Sequence, residues 1–93
     1  MSTKALIKTR QTTHGDYKPK CYTIQDLKHI IRSTDGFWHL QPHQMESLDL
    51  ICTKIGRILY GDPDNIDHWD DIAGYAQLIS QSLTHDTPSK DPR

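Results

Sequence analysis

The sequence predicts an all-α protein, a small bundle of three to four helices assembled as a homo-oligomer. Apolar residues recur at helical spacing in successive segments, and start and stop signals bracket those segments. The length of 93 residues allows only one domain. A chain this short with 34% hydrophobic residues builds a modest core, and subunit association supplies what is missing.

The elements follow in order. Residues 1–12 are polar with a weak helical tendency, expected as a short helix where something packs on them and otherwise frayed. The single helical domain spans residues 13–83. His14-Gly15-Asp16-Tyr17 reads as a turn, and Pro19 prolongs the irregular stretch. Thr23 is the expected N-cap of a helix running to about Ser33. Ile24, Leu27, Ile30 and Ile31 share one face of that helix. Ser33-Thr34-Asp35-Gly36 stops it, and Phe37, Trp38 and Leu40 are expected to plug the end of the core.

Pro42 suits the first turn of the next helix, which should reach about Tyr60. Its stripe of Leu48, Ile51, Cys52, Ile55, Ile58 and Leu59 is the strongest periodic signal in the chain. Gly61-Asp62-Pro63-Asp64 ends it. Asp64 or Asn65 caps the last helix, expected to run to about Leu83 with a core stripe of Trp69, Ile72, Ala73, Ala76, Ile79 and Leu83. Residues 84–93 hold two prolines and little apolar content and read as a disordered tail.

Composition narrows the function. A net charge of −1 lacks the basic excess that duplex nucleic acid requires. No run approaches the ~20 apolar residues of a membrane span, and Lys4 and Lys8 interrupt the one short apolar run near the N-terminus. The expected place is the cytoplasm, with no membrane partner. Cys21 and Cys52 are too few and too far apart for a disulfide framework, and Cys52 falls on an apolar helix face as a small buried hydrophobe. The six histidines form no zinc set, since Pro42 separates His39 from His43 and no second pair completes them.

The polar faces of the last two helices carry more chemistry. Glu46, Asp49, Thr53 and Arg57 fall within about 80° of arc, with Lys54 at the edge. Asp67 and Asp71 are an i, i+4 pair on the last helix. A short connection makes the two helices antiparallel neighbours, so these carboxylates are expected to face one cleft. Converging carboxylates bind Mg²⁺, and adjacent cations take phosphate oxygens. The same residues also suit ordinary solvated ion pairs. Leu50 amid the polar strip implies that this face is covered, as by another subunit.

Arg10-Gln11-Thr12-Thr13-His14-Gly15-Asp16-Tyr17 resembles the opening of a group of small bacteriophage and prophage proteins, and Met45 to Leu78 resembles their signature. An acidic helix with Lys and Arg, followed by D-x-W-x-D-x-x-G-Y, is also similar to one half of the MazG-like all-α nucleotide pyrophosphohydrolases. The resemblance implies dimers or tetramers with a nucleotide-phosphate site on the helix faces. It implies Glu46, Asp49 and Asp71 as Mg²⁺ ligands, Asp67 as a group behind them, and Lys54 and Arg57 as phosphate contacts. Glu46 is the only glutamate in the chain, so the glutamate-rich helix of the active enzymes is absent.

Three functions follow as expectations. The leading one is nucleotide binding through Arg10, His14, Tyr17, Lys54 and Arg57, sequestering a signalling nucleotide of host defence. The second is Mg²⁺-dependent nucleotide hydrolysis by metal-bound water. The third is docking of a small viral bundle onto a host protein.

Overall fold

The computed structural model describes the backbone of residues 16–86 and the side chains of residues 16–84. It is all-α among the described residues. Helix α1 spans Tyr17–Arg32, a 3₁₀ turn spans Gly36–His39, α2 spans Pro42–Tyr60 and α3 spans Ile66–Asp86.

Helix α1 begins six residues before the expected cap at Thr23. Asp16, in extended conformation, precedes it, and the Lys20 N–H donates to the Asp16 carbonyl at 3.2 Å. Tyr17 and Pro19 are therefore helical, correcting the expected irregular stretch, while His14 and Gly15 of the expected turn lie outside the described residues. Proline is compatible here because the N–H groups of a first turn have no helical partner to lose. At the other end, the Ser33 and Thr34 hydroxyls donate to the Ile30 and Ile31 carbonyls at 2.6 and 2.8 Å. These bonds satisfy carbonyls that the helix leaves open.

Helix α2 has the bounds its local signals dictate. Pro42 stands at its start, and the Gln41 N–H donates to Gln44 Oε1 at 2.8 Å. In the connection to α3, Asp62 Oδ1 accepts the Asp64 N–H at 2.9 Å, and Asn65 Oδ1 accepts the Asp67 N–H at 3.0 Å. Asn65 is thus the cap of α3. Helix α3 continues to Asp86, three residues past the expected end.

α2 is the central element. It packs against both α1 and α3, while α1 and α3 barely touch one another. This arrangement redistributes burial relative to the apolar stripes. Ile24, Phe37 and Cys52 are the buried apolar residues among those described, with Lys20, Ser47 and His68 buried beside them. On α3, His68 is buried and Ile72, Tyr75, Ile79 and Ser82 are half-buried, whereas Ala73 and Ala76 face solvent. The expected α3 stripe is therefore rotated. A helix flanked on one side only turns the residues at that contact inward, whatever its apolar pattern.

Both tryptophans correct the expectation that they are core. Trp38 and Trp69 are exposed, and each indole N–H donates to a carbonyl six residues earlier, Arg32 at 2.9 Å and Pro63 at 2.7 Å. Phe37 alone fills the core at the 3₁₀ turn, with the Trp38 ring edge-on at 5.1 Å. Leu50 is half-buried. Lys54, one turn on, reaches α3, so this side of α2 is covered by α3 of the same chain.

Candidate anion-binding site

The expected carboxylate cleft divides between two helix seams. Asp49 turns to α1, where its Oδ2 accepts from the Arg32 guanidinium at 2.7 Å. Asp71, on α3, pairs with Lys54 Nζ at 2.7 Å. Glu46 and Asp67 are exposed. No group of three or more His, Cys, Asp or Glu among the described residues is placed to hold a metal ion. The donor set implied for Mg²⁺ does not fit together here, because two of its three members are held by cations in opposite seams.

Arg57 is the cation that acts on both seams, with Lys20 on the α1 side of α2 and Lys54 on the α3 side. Lys54 is on α2 with its side chain 12% exposed, and Arg57 follows on the same helix. The Arg57 Nε is buried with no hydrogen-bond partner among the described residues. Lys20 enters from α1 and is 8% exposed. Its stem packs against Gly56, where a Cβ would lie 3.3 Å from Lys20 Cγ. Its ammonium stands 5.5 Å from the centre of the Tyr17 ring, a cation–π contact.

Charge accumulates at this point. Burial and then the Arg57 charge pull the Lys20 ammonium below the usual lysine range. The hydrogen bond from Lys54 holds Asp71 below the usual carboxylate range, and the charges of Lys54, His68 and Arg57 act in the same direction. Lys54 and Arg57 thus act on one carboxylate, Asp71, while Lys20 is repelled by Arg57 from the α1 side. A buried guanidinium N–H without an acceptor forfeits a charge-assisted hydrogen bond. An anion delivered here supplies that acceptor and relieves the Lys20–Arg57 repulsion.

Of the residues expected to touch phosphate, the structure brings Lys54 and Arg57 together and places Tyr17 under Lys20. Arg10 and His14 lie outside the described residues. Sequence reasoning missed Lys20 and His68. Lys20 sits amid polar positions of α1, and its burial arises because it crosses the α1–α2 seam beside Gly56. A glycine in the middle of an apolar helix was the available signal. His68 lies one turn before Ile72 on the α2-facing side of α3.

Three further groups have ordinary roles. His43 Nε2 lies 3.0 Å from Ser82 Oγ, linking α2 to α3. The Cys52 thiol is buried and pushed above its usual range by burial first and by Asp49 second, which leaves it protonated and unreactive. Cys21 is half-buried and free.

Searches of the chain against protein-family models, curated proteins and solved structures give no match.

Proposed function

We propose that this protein binds a phosphate-bearing nucleotide at Arg57, with Lys20 and Lys54 on either side of it. The observation that carries the reading is the buried Arg57 Nε with no partner among the described residues, flanked by a buried lysine whose charge it repels. Structural ion pairs neutralise their cations. Here Lys54 and Arg57 act on one carboxylate and Lys20 adds a further cation beside Arg57, an excess that suits a ligand bringing its own negative charge. The exposed Tyr17 ring beside Lys20 offers an aromatic face for a base, a feature a bare phosphate does not use.

The resemblance to small phage proteins supports sequestration of a signalling nucleotide as the use of such a site. The separation of Asp49 from Asp71 weighs against a hydrolase built on a carboxylate-held Mg²⁺.

The test is incubation with linear and cyclic nucleotides, with and without Mg²⁺, followed by chromatography of free and heat-released ligand. Depletion of one nucleotide, recovered intact after heating, supports binding. Mg²⁺-dependent turnover replaces binding with hydrolysis, and no depletion overturns both.

A further inference from the structure

The three helices lie side by side as a layer. The side of α2 toward α1 carries Asp49, Cys52 and Gly56, and the side toward α3 carries Ser47, Leu50 and Lys54. At about 100° per residue these directions are roughly opposite, in keeping with the sparse contact between α1 and α3. A layer leaves α2 with two open edges. One is polar, with Glu46, Thr53 and Arg57. The other is the apolar stripe of Leu48, Ile51, Ile55 and Leu59, spanning about 80° of arc.

Neighbouring helices extend the apolar edge. On α1, Ile30 lies about 160° around the helix from Arg32, whose ion pair marks the polar side. On α3, Trp69 lies about 160° from Asp71, which marks the same side there. Ile30 and Leu59 are each 63% exposed, Trp69 52% and Leu48 37%. Tyr17, Tyr22, Trp38, Ile66 and Leu78 are also exposed and are not part of this set, Leu78 lying about 20° around α3 from Asp71 on the polar side.

We infer that this face is covered by the same face of a second copy, about a two-fold axis near the middle of α2. Area supports that occupant. At roughly 100 Å² for a large aliphatic side chain and ~200 Å² for an indole, these four exposed fractions leave on the order of 300 Å² per copy. Two copies then bury about 600 Å² of apolar surface. Apolar atoms make up about 60% of a typical interface, so complete burial of these side chains gives a contact of roughly 900 to 1,000 Å², at the lower limit for a specific pair. The need is present too, because no described side chain is completely buried within one copy. With a net charge of −1, copies repel one another little. The pairing leaves the polar edge, with Arg57, open on the outside of the dimer.

Light scattering of the full chain from 1 to 100 μM tests this. The expected mass is twice 10.7 kDa; a monomer at every concentration overturns the inference. Leu59→Asp should return the protein to a monomer with its helical circular dichroism retained, while Leu78→Asp on the polar side leaves the dimer intact. A dimer that survives Leu59→Asp, or yields only to Leu78→Asp, also overturns it. If Leu59→Asp fails to fold, isotope-filtered NMR on mixed labelled and unlabelled wild type decides. Intermolecular contacts among Ile30, Leu48, Leu59 and Trp69 support the pairing, and contacts made only by other residues refute it.

Discussion

Ile24 of α1 fills the space that Gly56 of α2 leaves by having no side chain. A Cβ on Gly56 would stand 2.6 Å from Ile24 Cδ1, far inside van der Waals contact. This close approach brings the two helices together and seats Lys20 one turn before Ile24, next to Arg57. The glycine therefore serves both the packing and the cation cluster.

Gly56→Ala should destabilise the fold. Overpacking of this kind costs about 1–3 kcal/mol. The ~1 kcal/mol by which alanine exceeds glycine in a helix offsets only part of it, since a β-branched isoleucine in a helix has few rotamers to retreat into. Urea denaturation followed by circular dichroism reads this as a lower midpoint with an unchanged slope. A higher midpoint would show that Ile24 yields freely.

Arg57→Ala should weaken nucleotide binding by roughly 10- to 100-fold, the value of a hydrogen bond to a charged group, while helical circular dichroism stays as in wild type. Titration calorimetry with the retained nucleotide measures the loss. A fall in helicity would instead assign Arg57 to holding the helices together.

Lys20 should respond to the ligand through its proton. Burial and Arg57 lower its folded pKa, so between that value and the unfolded 10.5 the unfolded chain holds more protons, and stability rises with pH across this window. An anion at the cluster favours the charged form, so phosphate should move the Lys20 titration upward. NMR of the Lys20 side chain with and without phosphate reads the shift; an unchanged titration would place the anion elsewhere.

Asp71→Asn should tighten anion binding, because it removes the carboxylate on which Lys54 and Arg57 act and frees Lys54. The substitution also has an acid signature. The folded pKa of Asp71 is lowered, so its contribution is present above the unfolded value of 3.8 and disappears as pH falls through the folded value. The variant should show a flatter loss of stability below pH 4 than wild type. Identical acid profiles would show that the Lys54–Asp71 pair contributes nothing, as is common for exposed pairs.

Helix ends were legible from the sequence because the interactions that set them are local. Pro42, Gly61-Asp62-Pro63 and Asn65 act within a turn of their own positions, and α2 has the predicted bounds. Tyr17 and Pro19 misled because a turn signal and a proline are equally compatible with a helix's first turn. Periodicity located apolar stripes but not their neighbours. Placing α2 between two helices turned its flanks inward and left Leu48 and Leu59 at an open edge.

The candidate site divides in the same way. The sequence determined that Lys54 and Arg57 share a helix and that Asp71 stands on the next one. Tertiary structure alone decided that Asp49 pairs with Arg32, that Asp71 pairs with Lys54, and that Lys20 is buried beside Gly56. Pattern within a helix fixes only the angle at which a residue points. Its partner is set by how closely another helix can approach, and here a missing side chain at Gly56 sets that distance.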